Sequence, residues 1–175
     1  MAIPRLPEKA MFFVGILAAG RRELALAGAV LEDEFGGACL GSPVWAFDNT
    51  EYYRDELGPS PVRAFLAFPG LFASDTVAGR KLAANDLEVR LAAIAGGRLP
   101  RPVNLDPGYL TPAKLVLASA KNYAHRIHLR DSIYAEVTLQ YRAERFHPLP
   151  WTFPDFASGR YDGFFFAMRR MLASL

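Results

Sequence analysis

The run MFFVGIL, Met11 to Leu17, constrains the fold more than any other stretch of this chain. It is apolar at every position and falls far short of the roughly 20 residues that a membrane-crossing helix needs. A short continuous apolar run reads as a strand buried on both faces. The fold must then supply a packing layer on each side of that strand. The flanks raise a competing reading. Arg5 and Lys9 precede AMFFVGILAAG, and small residues close it, which is also the layout of an export signal. The strand is the expectation adopted here, because the chain continues directly into a helical pattern at Arg21.

That helix is predicted over Arg21 to Phe35, with Leu24, Ala27, Leu31 and Phe35 at helical spacing and Gly36-Gly37 as the stop. Strands follow at Pro43–Phe47 and Val62–Phe68, separated by a polar excursion that holds a helical turn capped by Asn49 or Thr50. Ser74 or Asp75 caps a second helix that runs through Ala95 and stops at Gly96-Gly97. Its apolar stripe is Val77, Ala84, Leu87, Leu91 and Ile94. Lys81, Asn85 and Glu88 form a second stripe that borders the first. Arg101–Leu105 is a short strand, and DPGY, Asp106 to Tyr109, fits a type II turn. Lys114–Ala120, Ala124–Leu129 and Ser132–Tyr141 are three more strands. The proline-rich tail His147–Phe156 reads as an extended loop, and Tyr161–Ser174 as a closing helix with Phe164, Phe165, Met168 and Leu172 inward.

This order predicts an α+β class: one domain over 1–175, with a mixed or mostly antiparallel sheet. Its first half is a ferredoxin-like βαββαβ unit, extended by C-terminal strands and a closing helix. A length of 175 residues suits one sizeable core, and no repeat or low-complexity segment interrupts it. The net charge of +2 is too small to argue by itself for a nucleic-acid or membrane partner. Cys39 is the only cysteine, so no intrachain disulfide forms, and a cytoplasmic address fits.

The blocks SPVWAFDNTEYYRDELG, NLDPGYL, KLVLAS, HRI, IYAEVTL and WTFPDF, in this order, resemble the pattern of the bacterial domain of unknown function 4416 family. The resemblance runs from about Phe13 to the last helix, with departures at Leu57, Ala120 and Phe156. It implies no mechanism. Some relatives carry a GTP-binding label, but this chain lacks the GxxxxGK[ST] loop whose backbone N–H groups cradle phosphates.

Candidate chemistry gathers in the second half. Matching the apolar faces of the Ala124–Leu129 and Ser132–Tyr141 strands across a loop of Arg130 to Ser132 sets Arg126 opposite Glu136 and His128 opposite Tyr134. The bland outcome is a solvated polar ladder. The functional one is an anion site of Lys114, Lys121, Arg126 and Lys81, joined by Asn85, Glu88, Asn104 and Thr138. Lys121 stands out because it ends a nearly continuous apolar strand. Asp106, Glu136 and Asp155 are the carboxylates to serve as general base or Mg²⁺ ligands, and His125 is a candidate acid. Asn104 and Asp106 share a face, so that stretch reads first as a turn and second as the wall of a site. No dedicated metal-ligand set is read, since His125 and His128 point to opposite faces. Ser119 lacks a nucleophile elbow. Tyr52, Tyr53, Trp151 and Phe153 are loop aromatics that either stack a base or pin their loops. The expected ligand is a phosphorylated small molecule or nucleotide. The alternative is an RNA-binding or assembly module without catalysis, and a homo-oligomer is compatible with either.

Overall fold

The computed structural model describes residues 3–48, 54–96 and 99–175. Strand β1 (Met11–Ala18) is buried along its whole length, as its apolar sequence requires. It sits between β4 (Val62–Ala67) and β5 (Val103–Leu110), antiparallel to both. The sheet continues through β6 (Lys114–Ser119) to β8 (Ile133–Arg142) and the edge strand β7 (Ile127–Arg130). On the other side, β4 carries two short pairings, β2 (Leu40–Gly41) and β3 (Trp45–Ala46). A ninth strand, β9 (Arg145–Pro148), pairs with β8. The sheet is antiparallel throughout these pairings, and the fold is α+β.

Two layers cover β1. Helices α1 (Arg21–Phe35) and α3 (Val77–Ile94) pack Ala27, Leu31, Ala84, Leu87 and Leu91 against Phe12, Val14 and Ile16. The opposite face buries Met11, Phe13, Phe65 and Leu110 under α5 (Asp162–Ala173), through Phe164, Phe165, Met168 and Leu172. Phe65 is the hub of that second layer, with Phe164, Phe165 and Tyr161 rings centred 5.4, 5.4 and 4.8 Å away. A short helix, α2 (Arg54–Leu57), contributes Leu57 to a small cluster with Leu17 and Phe47. Among the described residues no helix is long and apolar enough to cross a membrane.

Several expectations are corrected. The ferredoxin-like first half is irregular: its second strand shrinks to Trp45–Ala46, beside the extra Leu40–Gly41 pairing. No side chain caps α3; a 3₁₀ turn at Ser74–Thr76 leads into it, and Thr76 Oγ1 instead donates to the Ala73 carbonyl. Ile94 lies outward at 53% exposure, beyond the part of α3 that packs on the sheet. Gly96 stops this helix region with a φ of 79°. The β7–β8 loop has two residues, Asp131 and Ser132, both left-handed, with a bulge between His128 and Arg130. Ile127 and Leu129 are exposed because β7 is an edge strand with no layer over it. The proline-rich tail is only partly a loop: β9 takes its start, and α4 (Pro154–Ala157) its end. The expected caps Asn49 and Thr50, the aromatics Tyr52 and Tyr53, and Gly97 lie outside the described residues.

The largest correction concerns DPGY. Asp106 to Tyr109 are not a turn; they continue β5, paired with Gly15, Val14, Phe13 and Phe12. The reversal comes later, at Thr111–Lys114, where Thr111 N–H donates to the Lys114 carbonyl and Thr111 Oγ1 accepts from the Ala113 and Lys114 amides. Gly108 serves close approach and not a turn. A Cβ there would stand 2.3 Å from the Val116 carbonyl oxygen. Pro107 is tolerated for a reason that also creates the site.

Candidate functional site

Strands β5 and β6 pair only through Gly108–Leu110 and Leu115–Leu117. Beyond that they splay, and the first half of β5 keeps β1 on one side with a gap on the other. A backbone edge facing a gap needs other hydrogen-bond partners. Helix α3 supplies them. Lys81 Nζ donates to the Leu105 carbonyl at 2.7 Å, and Glu88 Oε1 accepts from the Leu105 N–H at 2.8 Å. The Lys81–Glu88 pair, 3.7 Å apart, thus replaces a missing strand. Pro107 has the parity of Leu105, so its nitrogen, which carries no hydrogen, faces the gap and leaves no donor unmet.

The gap is the mouth of a pocket of about 570 Å³, within the range of small-molecule sites. Its walls come from α3, the splayed strands, the loop after β6 and the strap Phe153–Phe156. Of the residues expected at a site, Lys81, Asn85, Asn104, Asp106, Lys121, Arg126, Glu136 and Asp155 line it. Glu88 stands just behind, tied to Lys81. His125 does not line the pocket itself and adjoins it through Glu136 and the Tyr123 ring. Thr138 is fully buried and reaches no further than Glu136 Oε1, at 3.4 Å. Its place follows from a β-bulge: the β6–β8 register skips it, and its carbonyl accepts from Thr152 Oγ1. Lys114 is misplaced in the expectation. It opens β6 opposite Gln140, at the far end of a six-residue strand from Ser119.

Three charged knots hold the walls. The first was not foreseen. Arg63, only 5% exposed, donates through Nη1 to Asp106 Oδ2 at 2.8 Å and sets Nη2 3.7 Å from Asp155 Oδ2. To do so it crosses β1 at Gly15, where a Cβ would lie 3.2 Å from Nη1. Phe47 and Phe65 rings flank the guanidinium. Tyr161 donates its hydroxyl to Asp155 Oδ2 at 3.1 Å. Burial, and then the Asp155 carboxylate, push the Tyr161 phenol far above its ordinary value, so it remains a donor. Only the charge inside VRAFLAF could have signalled Arg63.

In the second knot Arg101 donates to Glu88 Oε2 at 2.8 Å and to Asn104 Oδ1 at 2.5 Å. This fixes the Asn104 amide, and its buried Nδ2 makes no hydrogen bond. In the third, Arg126 donates to Glu136 Oε2 at 2.7 Å, to Ser119 Oγ at 2.6 Å and to the Lys121 carbonyl at 3.0 Å. The predicted Arg126–Glu136 and His128–Tyr134 juxtapositions are both present. The ladder is not solvated at Glu136, which is 3% exposed. His125 Nε2 lies 2.9 Å from the same carboxylate, and its ring stacks on Trp151, 5.3 Å between centroids. Trp151 and Thr152 bond to the β8 backbone, pinning the strap that delivers Phe153 and Asp155. Ser119 Oγ accepts from Arg126 and the Lys121 amide, so it has no general base.

Burial works against ionisation of Asp106, but the Arg63 charge, then Lys81, outweigh it and hold the carboxyl below the usual carboxylate range. A depressed folded value contributes stability above the unfolded value, near pH 4, and that stability is lost as pH falls through the folded value. Urea melts should therefore show an acid decline below about pH 4 that is shallower in Asp106→Asn. An equal slope in both proteins would assign the decline to other carboxylates. Among the described residues no three His, Cys, Asp or Glu side chains converge as a metal set. The carboxylates Asp106, Glu136 and Asp155 are separated by Arg63 and Arg126, so they do not form a shared cage.

A family model described as a domain of unknown function (DUF4416) matches residues 8–172, nearly the whole chain. No curated protein and no solved structure matches. The chain therefore belongs to the DUF4416 family, and the splayed-sheet pocket is a feature of one of its members.

Proposed function

We propose that the pocket binds a phosphorylated small molecule or nucleotide. The observation that carries the reading is the pocket itself: a cavity of about 570 Å³ lined by Arg63, Lys81, Arg101, Lys121 and Arg126 against three carboxylates. Fixed guanidinium and ammonium donors recognise phosphate oxygens at low reorganisation cost. Lys121 and Arg126 come from one loop, and Tyr123 of that loop lies under the Arg126 guanidinium, 4.6 Å from ring centroid to carbon. Tyr123 and Phe153 are half exposed and line the pocket, and their rings would cover a base or a sugar. Whether a reaction follows depends on Asp106, Glu136 and Asp155 as bases. His125, which reaches the site through Glu136, is better suited to orient that carboxylate than to act as an acid.

The test is a thermal-shift panel with GTP, ATP, phosphorylated metabolites, Mg²⁺, Mn²⁺ and short single-stranded RNA. A ligand at about 100 times its Kd should add about 2.7 kcal/mol, raising Tm by roughly 5–10 °C. Lys121 is exposed, so Lys121→Ala should change Tm of the free protein by no more than about 2 °C while abolishing the ligand shift. A shift with RNA alone, lost as salt rises, would favour the RNA-binding module. A Lys121→Ala protein that unfolds would make this lysine structural.

A further inference from the structure

The pocket has a second chemical character at its Asp106–Asp155 end. Arg63 uses one oxygen of each carboxylate: Asp106 Oδ2 at 2.8 Å and Asp155 Oδ2 at 3.7 Å, the latter also taken by Tyr161. Among the described residues no hydrogen bond reaches the other oxygen of Asp155, the Asp106 carboxylate has the Asn104 amide beside it as well as Arg63, and both carboxylates line the pocket. Asn104, on the same face two residues before Asp106, is 6% exposed, and its Nδ2 is a buried donor without a partner. The end wall therefore sets two carboxylates beside the unmet Asn104 donor, with Arg63 Nε also unpaired.

Such a set selects among ligand groups. An ammonium or guanidinium only donates and would leave Asn104 Nδ2 unmet. A second phosphate only accepts at neutral pH and would face two carboxylates. Neighbouring hydroxyl groups both donate and accept, and they satisfy all three groups. The exposed Phe153 ring, two residues before Asp155, offers an apolar face to the C–H side of a sugar. We infer that Asp106, Asp155 and Asn104 read adjacent hydroxyls, so that the ligand class is a polyhydroxylated phosphate: a sugar phosphate or the ribose phosphate part of a nucleotide. This inference rests on the phosphate reading above and adds the group that accompanies the phosphate.

Calorimetric titration of the full chain tests it with matched pairs. These are ribose 5-phosphate against 2-deoxyribose 5-phosphate, glucose 6-phosphate against 2-deoxyglucose 6-phosphate, and glycerol 3-phosphate against propyl phosphate, with ATP and inorganic phosphate alongside. A hydroxyl bonded to a buried carboxylate is worth about ten-fold or more in affinity, because its absence leaves the site unpaired. At least one hydroxyl-rich member should bind tighter by that factor, and Asp106→Asn should bring the ratio towards one. If Asp106→Asn does not fold, Asn104→Ala serves the same comparison, and the wild-type pairs decide without either variant. Phosphate esters that bind equally with and without hydroxyls would overturn this inference and leave the phosphate reading standing. No binding by any phosphorylated probe would overturn both.

Discussion

Arg63→Met should cost about 3–5 kcal/mol at neutral pH, a fall in Tm of roughly 6–20 °C. The side chain it replaces is buried and is the shared partner of Asp106 and Asp155. Methionine fills similar volume between Phe47 and Phe65, so most of the loss is the charge left uncompensated on two carboxylates. Without the guanidinium, burial raises the Asp106 carboxyl pKa in the folded state above its unfolded value. The penalty is then present above that raised value and is relieved as pH falls through it. Wild type moves oppositely, because its Asp106 value is depressed. Urea melts at pH 7.5 and pH 5 should show the gap between the two proteins narrowing in acid. A gap independent of pH would assign the loss to packing and cation–π contact with Phe47 and Phe65.

Gly108→Ala should be the most disruptive single-carbon addition in the sheet. The new Cβ would stand 2.3 Å from the Val116 carbonyl oxygen and 2.9 Å from both Leu117 Cδ2 and Phe13 Cζ. A backbone carbonyl in a ladder cannot yield without losing the short β5–β6 pairing that closes one end of the pocket. The cost is expected at the top of the overpacking range, about 3 kcal/mol, or roughly 6–12 °C in Tm. Gly108→Asn separates this role from a turn glycine. Asparagine tolerates left-handed backbone and would be accepted in a turn, but in a crowded strand it should be worse than alanine. Denaturant midpoints of the two variants give the comparison, and asparagine outperforming alanine would contradict the close-approach role.

The sequence reveals elements whose signal is local. The apolar run of β1, the helical stripe of α1, that of α3 as far as Leu91, and the closing helix with Phe164, Phe165 and Met168 inward all stand as read. So do the second stripe of α3, of which Lys81 and Asn85 line the pocket, and the Arg126–Glu136 juxtaposition. The features that the sequence does not reveal depend on neighbours distant in the chain. Asp-Pro-Gly has the local chemistry of a turn, but Pro107 sits where β5 has lost its neighbour and Gly108 where β6 comes too close for a side chain. Lys114 and Lys121 flank the same strand, and only the direction in which β5 and β6 splay decides which one faces the pocket. Arg63 and Arg101 carried almost no signal, since their partners lie 43 and 13 residues away in the chain. Ile127 and Leu129 have an inward pattern, but an edge strand offers nothing to pack against.

The most direct test of the pocket as a ligand site is an amide NMR titration of the ¹⁵N-labelled chain with ATP, GTP and inorganic phosphate, repeated on Lys121→Ala. A site in the splayed sheet predicts shifts confined to Leu117–Tyr123, Asn104–Asp106 and Phe153–Phe156, saturating in wild type and absent in the variant. Shifts elsewhere, at the Arg21–Arg22 helix start for example, or no shifts at millimolar ligand, would contradict it.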